Sequence, residues 1–482
     1  MSAARRRTLI GAAAVLALLL PLGWFWYASL LPDTYPVTAM GAMDFGGGPS
    51  GHQHAAEVPV SALVADPQRR ADVTYTLVAR RQRVTPVGGR AIDGYTLNGT
   101  SPGPQLRATE GQLVEVTLVN ESVPGGVTLH WHGVDVPNAA DGVAGVTQDA
   151  VKPGGRYTYR FVADRAGTFW YHSHQLSHEQ VLNGLFGALI IVPRATQPDQ
   201  VALVHLYDGQ RTVNGQVGTV VVPATVGATV RVRVINTDNG VMNTWVSGAP
   251  YRLVAVDGSD LHGPTDITDA AVAVTAGGRA DLAVRIPAGG VRVALGGNTA
   301  LVLAPAGATG PAGTAAPRQR VDLLHYGTPA PTGLDPAQAN RRFRYDIGRR
   351  PGFLDGVPGL WWTVNGKLYP DVPMFVVTEG DLVQMTISNA SGDAHPMHLH
   401  GHHALVVSRN GQPATGSPWW IDSLNVGDGE TYTMVFRADN PGLWMDHCHN
   451  LPHAAEGLVA HLMYTGVSTP YRIGTGTANE PE

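Results

Sequence analysis

The chain has 482 residues, 15% of them charged, with 59 glycines, 35 prolines and a formal charge of −5. That length exceeds one ordinary core and predicts two to four domains, and sparse charge with frequent turn formers favours short strands over long surface helices. No basic run lies beyond the first ten residues, which argues against a nucleic-acid surface, and the single cysteine excludes an internal disulfide.

Arg5, Arg6 and Arg7 precede a nearly uninterrupted apolar run from Leu9 to Leu31, closed by Trp24, Phe25, Trp26 and Tyr27. About 20 apolar residues span a bilayer, and clustered aromatics mark its far interface. Residues 1–31 are therefore expected to form a membrane anchor, with everything after Pro32 outside the cytoplasm. The alternative is an export signal, loosely of twin-arginine type, that is removed. Residues 32–68, including "MDFGGGPSGHQHAAE", read as a flexible linker in which His52 and His54 are solvated.

A repeat follows. "TEGQLVEVTLVN" (109–120), "TVGATVRVRVIN" (225–236) and "TEGDLVQMTISN" (378–389) share a Thr-x-Gly opening and a terminal Asn. Each ends in a period-two run such as Val230, Val232, Val234, the pattern of a strand with one buried face. An Asn-Gly turn precedes each one: Asn98-Gly99, Asn214-Gly215 and Asn365-Gly366. A second shared segment follows: "GGRYTYRFVAD", "GGRADLAVRIPA" and "GDGETYTMVFRAD". These spacings, without long helical patterns, predict an all-β protein of three β-sandwich domains at 69–195, 196–335 and 336–468, then a tail at 469–482.

The repeats also align chemistry. Copies one and three match at "HWHG" (130–133) and "HLHG" (398–401), and again at "HSH" (172–174) and "HCH" (447–449). The middle copy has no histidine at either place. Residues i and i+2 of a strand point the same way, so each His-x-His is expected to aim two imidazoles at one site. Imidazoles alone suit several transition metals. His395, Cys448 and His453 are more specific, because two imidazoles and a thiolate form the trigonal set of a blue-copper electron-transfer site. A structural zinc site would need a fourth ligand and no surrounding histidines.

"HWHG", "HSH", "HPMHLHG" and "HCHNLPHAAEGL" together resemble the four copper motifs of the multicopper oxidases, the laccase-like family, over about 400 residues. The resemblance implies three cupredoxin-like Greek-key domains and four coppers. The type 1 copper would take His395, Cys448 and His453, and the type 2 copper His130 and His398. The type 3 pair would share His132, His172, His174, His400, His447 and His449, in a division the sequence leaves open. The axial position falls at Leu458, which cannot coordinate, so a higher potential than with Met is expected. Met463 is a substitute five residues off register. Asp141 matches a proton-relay acid of similar bacterial enzymes. The acid that some relatives carry after the last type 1 histidine is Ala454 here, with Glu456 and Asp446 as nearby substitutes. His178, His402 and His403 fit no ligand register and are expected to support the cluster or lie at the surface. Trp419 and Trp420 would line the type 1 wall or pack in the core.

The implied activity is copper-dependent oxidation at the type 1 site coupled to four-electron reduction of O2 to water. Candidate reductants are phenols, aromatic amines, or the metal ions Cu(I), Fe(II) and Mn(II). The expected protein is an extracytoplasmic monomer held at the membrane by its N-terminal segment, without a nucleic-acid partner. Two rivals stand beside it: a copper-tolerance or copper-binding protein with incidental turnover, and a copper nitrite reductase-like enzyme, which lacks a type 3 pair.

Overall fold

The computed structural model of the chain describes residues 3–49, 57–195 and 198–482; His52 and His54 lie outside the described residues. Strands make up 43% of the chain. Each repeated segment is a strand in the middle of a sheet. Leu113–Asn120, Thr229–Asn236 and Leu382–Asn389 pair in parallel with the strand before them (Val73–Arg81, Asp199–Tyr207 and Arg341–Leu354). They pair antiparallel with the second shared segment (Arg156–Val162, Arg279–Arg285 and Thr431–Arg437). Alternation drives this. In the first and third copies burial runs through the same alternating sequence, so one face of the strand enters the core. The Asn-Gly pairs have positive φ at both residues, which matches a tight hairpin turn to strand twist.

Three pairs of sheets result, with an apolar core between the sheets of each pair. In the first pair the His130–His132 strand is an edge beside Gly167–His172. In the third, His395–Leu399 lies between Leu443–Cys448 and Ser423–Val426. Trp131, Trp170 and Trp444 are fully buried beside these histidines. Each such side chain contributes roughly 1.5–3 kcal/mol or more of burial free energy, which fixes the histidine strands rigidly.

A helix, α1 (Ala3–Ala28), stands exposed at the N-terminus and is long and apolar enough to cross a membrane. The segment after it differs from the expected flexible linker. Tyr35, Val37 and Met40 enter the third core, and Met43–Asp44 extends the third unit's sheet beside Met374–Val377. Val58–Pro59 pairs with Val467–Ser468. The few apolar residues among the glycines explain the difference: their burial anchors a segment whose overall composition is that of a linker. The tail is also docked: Glu480 O accepts from Leu176 N at 2.6 Å, and Asn479 Oδ1 accepts from Ala150 N at 2.9 Å.

Candidate metal centre

His395, Cys448 and His453 converge. Cys448 Sγ lies 3.6 Å from His395 Nδ1 and 3.9 Å from His453 Nδ1, and the two nitrogens are 3.1 Å apart. Register explains it: Met397 opposes Cys448 across two strands, while His453 comes from α3 (Leu451–Ala455), which follows its strand as α2 (Ser177–Gln180) follows the corresponding strand of the first unit. The outer ring nitrogens are held, His395 Nε2 by Ser391 Oγ at 2.8 Å and His453 Nε2 by the Asn450 amide at 3.0 Å. Burial pushes the Cys448 thiol well up and His395 down to about 3, and it lowers His453 too. A buried thiol of that kind ionises when a metal takes its place beside the proton's site. Leu458 is fully buried, and its N–H and C=O bond His453 O and Cys448 N at 3.0 and 3.1 Å. Met463 packs in the core.

The other eight histidines face one another across the first and third units, and all are 0–1% exposed. Their ligand atoms form three groups, each within 4.8 Å: His130, His132 and His398; His132, His172 and His449; His174, His400 and His447. Representative separations are His130 Nε2 to His398 Nε2 at 3.4 Å, His174 Nε2 to His447 Nε2 at 3.4 Å, and His400 Nε2 to His447 Nε2 at 3.2 Å. His130 and His132 share one group, but His132 also belongs to the next, and the other three His-x-His pairs split between groups, against the expectation that each pair serves one site. His172 and His174 separate, as do His447 and His449, because their strands end at His172 and Cys448. Beyond a strand end the i, i+2 rule lapses. Among the described residues, no group includes a residue of the middle unit.

The donor set fits a metal. One nitrogen of most rings is tied down: His130 Nδ1 to Asp141 O at 2.9 Å, His398 Nδ1 to Asp422 O at 2.9 Å, His400 Nδ1 to Asp141 Oδ1 at 3.1 Å, His174 Nδ1 to Pro481 O at 3.1 Å. His172 Nε2, His132 Nδ1 and both nitrogens of His449 are buried without any partner. Unpartnered buried nitrogens cost about 1–3 kcal/mol each, a cost that a bound cation removes. Burial pushes His132 down to about 3, and His172, His174, His398, His400 and His449 well below their usual range, keeping the rings neutral as ligands must be.

The comparisons agree with this geometry. Two multicopper oxidase family signatures match, one over residues 78–196 and one over residues 337–466. The chain belongs to the multicopper oxidase family. It is 28% identical to Laccase-1 of Botryotinia fuckeliana, over 83% of each chain, and 27% identical to Multicopper oxidase MmcO of Mycobacterium tuberculosis, over 84% of this chain and 89% of that one. A solved multi-copper oxidase from Pseudomonas thermotolerans superposes with a TM-score of 0.67 at 27% identity, over 82% of this chain and 99% of that one. The three sandwiches are cupredoxin-like, and the protein is a copper-dependent oxidoreductase.

As a multicopper oxidase the chain supports its histidines with residues that sequence reasoning passed over. Asp422 Oδ1 lies 3.1 Å from His132 Nε2, and Arg279 of the middle unit clasps its carboxylate at 2.6 and 2.5 Å. Burial pushes that carboxyl up, but the Arg279 charge outweighs it and holds Asp422 well below the usual range. The same unit supplies Gly277, where a Cβ would sit 2.8 Å from His132 and 2.9 Å from His449, so only glycine lets this loop approach. Glu482 Oε1 reaches to 3.0 Å from His447 Nδ1, although neither atom completes an aligned hydrogen bond. No local motif announces Asp422, Arg279 or Glu482.

Asp141 contacts both His130 and His400, and burial raises its carboxyl. Glu456 accepts from Trp362 Nε1 at 2.8 Å. Asp446 is buried with Oδ2 unpartnered, pushed up to about 7 by burial. His402 bonds His400 O at 3.0 Å and Tyr464 OH at 2.6 Å, and His403 lies 3.1 Å from Asp135 and 3.3 Å from Asp422. Trp419 packs in the third core. The residue covering His395 and His453 is Trp362, with ring centroids at 4.6 and 4.4 Å.

Proposed function

We propose that the chain is a membrane-tethered, extracytoplasmic oxidase that couples one-electron oxidation of a reductant at a type 1 centre to reduction of O2 at a trinuclear centre. Its type 1 ligands are His395, Cys448 and His453. His130 and His398 hold the type 2 copper. The type 3 pair divides as His132, His172 and His449 on one side and His174, His400 and His447 on the other, following the two separate groups. When bound, copper at the first centre supplies a one-electron acceptor, and copper among the eight histidines supplies the place where O2, four electrons and four protons give two waters.

The chain's own residues do the rest. His453 is the least buried of the three type 1 ligands, so reductant electrons cross at its edge. Cys448 is covalently continuous with His447 and His449, which fall in different halves of the type 3 set, so one peptide stretch joins the two centres. That juxtaposition carries the reading. Asp141 accepts the Nδ1 protons of His130 and His400, turning both Nε2 atoms inward. Its raised carboxyl can also carry a proton into a site sealed from water.

Oxygen uptake by the fully copper-loaded protein, against phenols, Cu(I), Fe(II) and Mn(II), tests the reading. At least one donor is expected to drive uptake of one O2 per four electrons. A copper-binding protein would consume none with any donor, and that outcome would overturn the proposal.

A further inference from the structure

Trp362, which covers His395 and His453, belongs to a hairpin of two strands, Arg341–Leu354 and Val357–Val364, in which its cross-strand partner is Arg349. Directly opposed residues of an antiparallel pair put their side chains on one face. The Arg349 guanidinium accordingly rests on the indole, with Cζ 4.1 Å from the ring centroid, in a cation–π contact. Arg350, the next residue, takes the opposite face of the strand. Trp362 is buried, so the path from the guanidinium to the two imidazoles runs through an aromatic ring.

Both ends of this stack are fastened. The Arg349 guanidinium lies 3.3 Å from Asp393 Oδ2, in the loop whose Ser391 Oγ meets His395 Nε2. Trp362 Nε1 donates to Glu456 Oε2 at 2.8 Å, and Glu456 ends α3, the helix that carries His453. Asp393, Arg349, Trp362 and Glu456 therefore form one chain of contacts, from the loop before His395 to the helix of His453. Its charges are unequal. Arg349 stands against the carboxylates of Asp393 and Glu456, and Asp428, whose Oδ1 accepts from Gly392 N at 2.9 Å, adds a third to the same loop.

We propose that Arg349 is a positioning residue for the type 1 centre, whose charge, held on Trp362 by Asp393, raises the potential of a copper bound by His395, Cys448 and His453. The proposal rests on the type 1 reading given above and adds a residue that sets its potential. Copper(II) gains one electron on reduction, so a fixed positive charge beside its ligands favours the reduced ion, and nearby carboxylates favour the oxidised one. Leu458 and Arg349 act in the same direction, the first by withholding an axial donor and the second by its charge.

The experiment uses the full, copper-loaded chain without O2, equilibrated with ferrocyanide and ferricyanide while the blue band reports the ratio of Cu(I) to Cu(II). At a fixed solution potential, that ratio is expected to fall at least about threefold in Arg349→Gln, the scale of one charge acting through an effective dielectric of about 20. Arg349→Lys keeps the charge and should stay within about twofold of wild type. Glu456→Gln keeps an oxygen for Trp362 Nε1 but loses a negative charge, so its ratio should rise. Damage to the fold would move both glutamine variants the same way, and opposite signs separate charge from damage. An unchanged ratio in Arg349→Gln, an equal fall in Arg349→Lys, or shifts of one sign in Arg349→Gln and Glu456→Gln would overturn the proposal. A wild type without a blue band would instead remove the type 1 reading.

Discussion

The first and third sandwiches each run from a histidine strand into a short helix and put different chemistry there. His172, Ser173, His174 and His178 stand in the register of His447, Cys448, His449 and His453. Ser173 N donates to Leu185 O at 3.0 Å, and Cys448 N donates to Leu458 O at 3.1 Å, so both turns close on an equivalent backbone bond, although Leu176 before α2 is left-handed and Asn450 before α3 is extended. The side chains differ. Ser173 Oγ is bound to Gln180 Oε1 at 2.6 Å, and the counterpart of His395 is Val127, buried in the first core. His178 therefore occupies the place of His453, which corrects the view that it fits no ligand register; its Nδ1 is buried without a partner. A soft-metal centre needs the thiol and both imidazoles together. One domain has all three and the other has a lone histidine, so on the proposed function electrons would enter through the third domain.

The two domains differ most at Cys448. Cys448→Ser should lower turnover about a thousandfold or more, the scale on which removing a reacting group acts, and abolish the blue absorption. A retained blue band would contradict the assignment. Next in size, Asp141→Asn should lower kcat about a hundredfold, a typical general-acid contribution, with copper content unchanged. Unaltered kcat would leave Asp141 a purely structural partner of His130 and His400.

The copper-free chain separates fold from metal. Burial holds His205 at about 4 and His461 at about 3. A depressed folded-state value means that their stabilising contribution is complete above pH 6.5 and is lost as pH falls from there toward 4 and 3. Each should cost about 1.4 kcal/mol per pH unit over that window. Urea midpoints at pH 7.5 and 5.5 check this; equal midpoints would contradict it. Leu458→Met should lower the type 1 potential, measured by redox titration, because a thioether donor favours Cu(II) over Cu(I). An unchanged or higher potential would refute the axial assignment. The smallest effect is expected from Ser173→Cys, which should add no second blue band. A band would show that the apolar Val127 side does not matter. Adding Val127→His to that variant is the change that should create one.

Much of this was legible in the sequence because it is local. The repeated strands announced themselves through alternation, and the paired histidines through their place in the repeat. How these histidines divide between separate groups was hidden because it depends on where their strands stop. Asp422, Arg279 and Glu482 were hidden for another reason: each reaches the cluster from a distant part of the chain, and no spacing encodes that approach. Trp362 escaped notice likewise, since the hairpin that carries it meets His453 only after folding. The docking of the segment after α1 is not legible because Tyr35, Val37 and Met40, which anchor it, are few among many glycines.

The most direct test of the account is the copper-to-chain ratio of the fully loaded wild type beside that of Cys448→Ser. Four coppers are expected in the first and three in the second, with oxygen uptake confined to the first. A wild-type ratio well below four at complete loading, or a Cys448→Ser ratio equal to that of the wild type with its blue colour intact, would contradict it.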